Sequence, residues 1–294
     1  MRVLLATDGA EDARAAAAWL ADFPLPASAA VRALSVASLP LSALDVPTVR
    51  QYYEALREAA RRAAEDARAA LARRWPKAEA SASEGDPRAE IVRAAEEWSA
   101  HLVVLGARGL GAVAGFLLGS VSLGVAHAAP CPVPVVKGGA RPLARAVLAV
   151  DGSADSLAAA DFLAALPLDR ALRLRLLGVV EVPHFPTTAP GAVHGQLRAA
   201  YDEMVEEQKA RLDGVLSRVA AKFAGKVAEV ERSVAVGRPV HEVVQAATDA
   251  AAGLVVVGAR GLGAIKRLLL GSVSEGVLRH ARCPVLVVKG GGPR

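Results

Sequence analysis

The chain has 294 residues, of which 53% are hydrophobic, so it is long enough for about two domains with apolar cores and is not a disordered chain. Its net charge is +5, but the basic residues alternate with acids along helical segments and aromatic residues make up only 4%, so we expect solvated helix faces and no nucleic-acid partner. No apolar run reaches the roughly 18 residues of a membrane span, and the first apolar run is too short for a signal peptide, so we expect a cytoplasmic protein with no membrane contact.

Each half of the chain opens with a short apolar strand that ends in Asp-Gly. The first strand, "RVLLATDG", places Asp8 at its tip, and the second, "RAVLAVDG", places Asp151 there. Apolar runs bounded by turn residues are typical of parallel strands that are covered on both faces. A helix is predicted after each of them, in "EDARAAAAWLADF" and "SADSLAAADFLAAL".

The following segments continue to alternate between strand and helix. Second strands, "AVRALSVASL" and "LRLRLLGVVEV", precede long amphipathic helices around residues 47–75 and 193–224. Third strands, "AEASASEG" and "AEVERSVAVG", show the alternation of half-buried edges, and helices then begin near Pro87 and Pro239, where a missing N–H costs little. A fourth strand, a glycine-rich loop, a short helix and a final strand, "VPVVK" or "VLVVK", complete each half.

The order βαβαβαβαβ therefore occurs twice, and this indicates an α/β protein. We predict two tandem Rossmann-like domains, residues 1–140 and 141–294, each with a five-stranded parallel sheet and helices on both faces. Ligands of such sheets bind beyond the carboxyl ends of the strands. The final strands would be sheet edges, so we expect them to pair with each other and form an intramolecular pseudo-dimer, with a further homodimer left open.

The fourth strand and the glycine-rich loop belong to a duplicated passage. "LVVLGARGLGAVAGFLLGSVSLGVAHAAPCPVPVVK" and "LVVVGARGLGAIKRLLLGSVSEGVLRHARCPVLVVK" are identical at 25 of 36 positions, at a constant offset of 152. Glycine at a strand end suits close backbone approach to a ligand and φ above zero, and a helix that begins at "GSVS" offers unpaired N–H groups to an anion. The passage lacks the lysine of a P-loop, and its position after the fourth strand excludes a dinucleotide fingerprint.

The pattern G-x2-G-x9-G-S, placed between a strand and a helix that ends before "CPV-VVK", resembles the universal stress protein family, as do the opening strands. The resemblance covers nearly the whole chain. It implies adenine nucleotide α hydrolase-like domains that bind ATP or a related nucleotide, with or without Mg²⁺. The nucleotide-contacting residues that it implies are Thr7, Asp8, Val36, Gly106, Arg108, Gly109, Gly119, Ser120, Val121 and Ser122 in the first half, and Val150, Asp151, Val179, Gly258, Arg260, Gly261, Gly271, Ser272, Val273 and Ser274 in the second.

The expected function is a nucleotide-binding stress or signalling module, with no catalytic residue and no metal ligand assigned. A slow ATPase or phosphotransferase is the alternative, and nucleic-acid binding is a third, weaker one. Arg108 and Arg260 are equally compatible with phosphate contact and with solvation. The absence of Asn, the low number of Gln and the many Arg and Pro also hint at a thermophilic source, although a GC-rich genome alone would also deplete Asn and Lys.

The two halves differ at a few places that bear on affinity. The second glycine-rich loop carries Lys266 and Arg267 where the first has Ala114 and Gly115. Charge-assisted contacts to a triphosphate predict modestly tighter ATP binding at the second site, despite the hydroxyl that Thr7 adds to the first.

Overall fold

The computed structural model describes residues 1–38, 47–110, 118–138, 141–181, 191–262 and 270–290. The first half contains β1 (Arg2–Ala6), α1 (Glu11–Asp22), β2 (Ala30–Ala37), α2 (Pro47–Ala72), β3 (Glu79–Glu84), α3 (Pro87–Glu97), β4 (Leu102–Gly106), α4 (Ser120–Ala128) and β5 (Val133–Val136). The second half contains β6 (Arg145–Ala149), α5 (Ala154–Ala165), β7 (Arg173–Val180), α6 (Gly191–Ala221), β8 (Glu229–Val236), α7 (Pro239–Asp249), β9 (Leu254–Gly258), α8 (Ser272–His280) and β10 (Val285–Val288). The predicted element order is confirmed in both halves.

All ten strands of the described chain form one sheet, in the order β3-β2-β1-β4-β5-β10-β9-β6-β7-β8. Within each half the five strands are parallel, as the sequence predicted. The halves meet where β5 and β10 pair antiparallel, with Val285 opposite Val135 and Val287 opposite Val133. Both strands are fully buried, and buried backbone N–H and C=O groups need partners, so each strand fills the edge of the other.

The two faces of the sheet carry different helices. One apolar layer joins alternate strand residues to α1, α2, α5 and α6, and the other joins the intervening residues to α3, α4, α7 and α8. In β1, for example, Val3 and Leu5 belong to the first layer and Leu4 and Ala6 to the second. This double burial explains why the strands read as continuous apolar runs rather than as alternating ones. Both layers run through the two halves without interruption.

The outer strands β3 and β8 are much more exposed than the inner ones, as their alternating sequences predicted. Ion pairs such as Arg32–Glu79 and Arg175–Glu231 cover their flanks. Charged side chains on an edge strand discourage pairing with another chain. The described helices include none that is long and apolar enough to cross a bilayer.

The strand order fixes where a ligand site can form. β1 lies between β2 and β4, and β6 lies between β7 and β9, so the chain leaves each of these strands on one side and returns on the other. Loops diverge at such a switch point and leave a crevice beyond the carboxyl ends of the strands. The crevices open next to Asp8 and Asp151, which follow β1 and β6.

Candidate functional site

A cavity of about 430 Å³ lies beyond the carboxyl ends of β6, β7 and β9. We call it the second cavity. All ten second-half residues singled out from the sequence line it: Val150, Asp151, Val179, Gly258, Arg260, Gly261, Gly271, Ser272, Val273 and Ser274. Leu177, Glu181, Pro239 and Val243 also line it and were not anticipated. The cavity therefore combines an apolar wall from β6, β7 and α7 with a polar floor at the start of α8.

The first half repeats the framework around this cavity, bond for bond in several places. Ser122 Oγ donates to the Gly106 carbonyl at 2.7 Å, and Ser274 Oγ donates to the Gly258 carbonyl at 2.5 Å. Val36 is half-buried in β2 as Val179 is in β7. The residues from 106 to 119 and from 258 to 271 are called the first and second glycine loops. Residues 111–117 and 263–269 of these loops lie outside the described chain.

The aspartates at the strand tips hold the glycine loops. Asp8 accepts the N–H of Ala10 at 3.0 Å through Oδ1 and the N–H of Leu110 at 2.8 Å through Oδ2. Asp151 accepts the N–H groups of Ser153 and Leu262 in the same way, at 2.9 and 3.1 Å. A carboxylate has about four acceptor positions, so each of these side chains keeps capacity for further donors.

The motif glycines do not have the positive φ that the sequence analysis allowed for glycine at a strand end. None of the six has a positive φ; Gly9 and Gly152, in the turns after β1 and β6, have φ of 77° and 84°. A Cβ at Gly106 would stand 2.6 Å from the backbone carbon of Asp12, and a Cβ at Gly258 would stand 2.5 Å from the backbone nitrogen of Ser156. These glycines let α1 and α5 pack against β4 and β9.

The second glycine of each motif makes room for the aspartate. A Cβ at Gly109 would collide with Asp8 Oδ2, and a Cβ at Gly261 would stand 2.8 Å from Asp151 Oδ2. Gly119 differs, because its φ of −78° suits any residue and its nearest neighbour, the Ala107 carbonyl, would be 3.2 Å from a Cβ. The sequence had assigned the motif glycines to ligand approach, which stays a prediction, and the structure shows that two of the three pairs also serve internal packing.

The helices α4 and α8 start with N–H groups that no capping side chain accepts. Gly119 and Gly271 are their N-caps, with no side-chain cap, and the first intrahelical bonds run from Leu123 N to Gly119 O and from Glu275 N to Gly271 O, both at 3.0 Å. In α8 the N–H groups of the preceding residues, 272–274, have no acceptor within the helix. The hydroxyl of Ser272 is exposed beside them, so the floor of the second cavity is suited to an anion.

The sequence interpretation missed two buried aspartates that tie the site together. Asp12 is 3% exposed and accepts Arg108 Nε at 2.9 Å and Nη2 at 3.3 Å. Asp155, also 3% exposed, accepts Arg260 Nε at 2.8 Å and Nη2 at 3.2 Å. These bonds raise the pKa of both guanidinium groups. Both arginines are thus engaged in ion pairs. The signal was present in the sequence, because each aspartate stands four residues after the strand-tip aspartate in its half.

The described residues also show how the halves differ. Ser153 Oγ donates to the Arg260 carbonyl at 3.0 Å and so ties the second glycine loop to α5, a contact that Ala10 cannot make in the first half. Thr7 Oγ1 accepts the N–H of Gly9 at 3.2 Å, which Val150 cannot do. The predicted contrast between Lys266 and Arg267 and their first-half counterparts lies outside the described residues.

No group of three or more His, Cys, Asp or Glu side chains among the described residues could hold a metal ion. A different depression, of about 330 Å³, lies at the amino ends of β6, β7 and β8. Its charged residues pair with one another, as in Arg173–Glu229 and Arg175–Glu231. It lies at the edge of the sheet opposite to the one where ligands of such folds bind.

Comparison with known proteins supports one family. The profile described as "Universal stress protein family" matches residues 1–137 and 143–289. A universal stress protein of Mycobacterium tuberculosis is 34% identical over 202 residues, which are 65% of this chain and 62% of the relative, so the match leaves over a third of the relative uncovered. One from Bacillus subtilis is 32% identical over 143 residues, 49% of this chain and 97% of the relative. The crystal structure of a universal stress protein from Archaeoglobus fulgidus has the same fold, with a TM-score of 0.65 at 24% identity, covering 99% of this chain and 96% of that one.

Proposed function

Because this chain belongs to the universal stress protein family, we propose that it binds adenine nucleotides, with ATP as the first ligand to test, at its two carboxyl-edge sites and without efficient catalysis. The observation that carries the proposal is the second cavity. Its volume of about 430 Å³ lies within the roughly 300–1,000 Å³ that small-molecule sites occupy. Its lining joins an apolar wall to an anion-accepting floor.

Each part of a nucleotide has a counterpart in this lining. The helix start at Gly271 and Ser272 suits the phosphates, because its N–H groups lack intrahelical acceptors. Asp151 has spare acceptor capacity for the hydroxyl groups of a ribose. Val179 and Val243 offer apolar surface to the flat faces of a base. By the equivalence of the frameworks, Ser120, Asp8 and Val36 would have these roles in the first half.

The described residues also bear on Mg²⁺. Asp151 is a carboxylate of the cavity wall, but both of its oxygens already accept backbone N–H groups. Mg²⁺ in nucleotide sites is commonly held by phosphates, water and one or two carboxylates. We propose that any Mg²⁺ enters with the nucleotide and takes at most an outer contact from this aspartate.

The same contacts support the proposal that catalysis is weak. Phosphoryl transfer is accelerated by a free cation beside the phosphates and by a group that orients water or accepts a proton. Arg260, the arginine among the lining residues, is paired with Asp155, and Asp151 holds the loop. We therefore propose binding with slow or no hydrolysis, and we keep the ATPase as the alternative that kinetics would reveal.

The first experiment is mass spectrometry of small molecules that co-purify with the native chain, followed by calorimetry with ATP, ADP and AMP. We expect ATP binding, with turnover below about 1 s⁻¹. Turnover above that rate would support the alternative of an ATPase or phosphotransferase. Retained nucleic acid would support the third alternative, nucleic-acid binding.

The site assignment is tested by filling the space proposed for the base in each half. Val36→Trp and Val179→Trp place a large side chain where the base is expected, and each should abolish binding at its own site only. Val230→Trp is the matched control, because Val230 is a half-buried residue of β8 near the amino edge of the sheet. Unchanged binding stoichiometry in the Val36→Trp/Val179→Trp chain would overturn the assignment.

A further inference from the structure

The seam between the two halves brings each final strand next to the start of the other. β5 and β10 run antiparallel, with Pro134 opposite Leu286. The residue that follows each strand therefore lies beside the residue that precedes the other strand. Lys137 follows β5 and Lys289 follows β10. Lys137 is only 7% exposed and Lys289 is half-buried. Two long cationic side chains inside an apolar seam call for a specific explanation.

Each lysine caps a helix of the other half. Lys289 Nζ donates to the carbonyls of His127 at 2.8 Å and Ala129 at 2.5 Å, at the end of α4. Lys137 Nζ donates to the carbonyl of Ala281, at the end of α8. A cation at a helix C-terminus satisfies free carbonyls and interacts favourably with the helix dipole. The same arrangement therefore occurs twice, with the halves exchanged.

The capped helices are the ones whose other ends form the candidate sites. Both α4 and α8 have nine residues, which is about 13 Å of helix. So short a rod transmits a displacement of its C-terminus to its N-terminus. The start of α4 at Gly119 belongs to the first site, and its end is held by Lys289 of the second half. The start of α8 at Gly271 belongs to the second site, and its end is held by Lys137 of the first half.

A chain of bonds also joins each lysine to the glycine loop of its own half. The residue after Lys289, Gly290, donates its N–H to Asp155 Oδ1 at 2.8 Å, and Asp155 binds Arg260 of the second glycine loop. Gly138, after Lys137, donates its N–H to Asp12 at 3.2 Å. Asp12 binds Arg108 of the first glycine loop. Each route thus connects the loop of one site with the helix of the other.

We propose that Lys289 is a positioning residue for the first nucleotide site and Lys137 for the second, so that each site is completed by the opposite half and its occupancy alters the affinity of the other. This inference rests on the proposed nucleotide binding. The coupling is reciprocal by thermodynamic necessity, and a change of about fivefold in affinity is typical of such linkage.

The test uses the full chain and reads the sites one at a time. Val179→Trp leaves only the first site open, and Val36→Trp leaves only the second. Lys289→Met and Lys137→Met are introduced into each background, and ATP binding is measured by calorimetry. We expect Lys289→Met to weaken the first site about tenfold, which lies within the usual range of coupling between sites, and to leave the second site within about twofold, which lies below that range. The reverse is expected for Lys137→Met. The two lysines are matched controls for each other.

A merely structural role would not produce this crossed pattern. Equal losses at both sites, or a loss confined to the half that contains the substituted lysine, would overturn the inference while ATP binding by the unsubstituted chain stands. No ATP binding by the unsubstituted chain would overturn the proposed function itself.

A measurement without nucleotide keeps the positioning role testable in that case. Hydrogen exchange of the amides in residues 123–128 should become faster in Lys289→Met, and that of residues 275–280 in Lys137→Met. Lys289→Gln retains an N–H donor and should show a smaller effect, and it replaces the Met variant if that chain does not fold. Unchanged exchange in both helices would overturn the positioning role.

Discussion

Asp155 and its first-half counterpart Asp12 each join three parts of the chain: a helix start, a glycine loop and the end of a final strand. The carboxylate of Asp155 receives two bonds from Arg260 and one from the backbone of Gly290. Only the aspartate is buried, because the Arg260 side chain is 37% exposed. The ion pair therefore contributes less to stability than a fully buried one would. The buried carboxylate nevertheless depends on its hydrogen-bond donors, because without them its charge would be unpaired.

Asp155→Asn tests this dependence. The substitution keeps the shape but removes the charge, and it turns an NH2 group toward existing donors. We expect the free energy of unfolding in urea to fall by about 1–3 kcal/mol. Asp161→Asn is the control, because Asp161 is 61% exposed and pairs with Lys222, and its effect should stay within about 1 kcal/mol. Equal effects of the two substitutions would contradict the structural role of Asp155.

At the scale of elements, the packing of α1 on β4 and of α5 on β9 depends on a missing side chain. Gly106 and Gly258 allow helix and strand backbones to approach more closely than a Cβ would permit. The rest of that layer is closely packed from Ala, Val and Leu with a few aromatic residues, so helix and sheet cannot separate locally without opening gaps.

Gly106→Ala is expected to displace α1 and to lower the free energy of unfolding by about 1–3 kcal/mol, the usual cost of overpacking. Gly214→Ala provides the opposite case within α6. A Cβ at Gly214 meets only Arg218 Nη1, at 3.9 Å, and alanine is the better helix former, so stability should rise by up to about 1 kcal/mol. Urea denaturation of both variants measures the difference, and a loss of stability in Gly214→Ala would be inconsistent with this account.

At the scale of the whole molecule, two buried lysines stand at the seam between the halves. Burial lowers the pKa of Lys137 and of Lys289 to about 8, from an ordinary 10.5. The fold disfavours their charged form, so their cost to stability is greatest below pH 8 and is relieved as the pH rises from 8 to 10.5. Burial also raises the pKa of the Cys131 thiol, to about 12, and that of the Cys283 thiol. These thiols make stability fall as the pH rises, which opposes the effect of the lysines.

The lysine contribution can be isolated in a Cys131→Ala/Cys283→Ala background. From pH 8 to 10.5, the free energy of unfolding should rise relative to the same chain carrying Lys137→Met/Lys289→Met. The expected gain is on the order of 1–3 kcal/mol. A flat or falling difference across this range would show that the fold does not lower the pKa of the two lysines.

The joined sheet suggests that the tandem arrangement replaces a dimer of single domains. This replacement stays a prediction. A protease site inserted between Gly138 and Arg141 would cut the connection and leave β5, β10 and the lysine contacts in place. We expect the two fragments to elute together in gel filtration at micromolar concentration, because the apolar layers run through both halves. Separation of folded fragments at that concentration would mean that the covalent link, and not the seam, holds the halves together.

The order of elements was accessible from the sequence because its signals are local. Apolar runs, turn residues and the repeat at an offset of 152 predicted both halves, and the long helices began and ended within a few residues of their observed bounds. Ten of the residues around the second cavity were also anticipated, although only the resemblance to a family indicated Val179. The left-handed conformation was assigned to the wrong glycines, because a clash with α1 or with Asp8 depends on groups brought together by the fold.

The sequence by itself determined that this is a duplicated α/β protein with glycine loops after the fourth strands, since periodicity, turn chemistry and internal identity are properties of adjacent residues. Only the tertiary structure decided that Arg108 and Arg260 bind buried aspartates and that each half caps a helix of the other. Those contacts join residues 96, 105, 144 and 162 positions apart. No local pattern encodes such distances, because the ion-pair partners become neighbours only when each half folds, and the lysines reach their helices only when β5 and β10 pair.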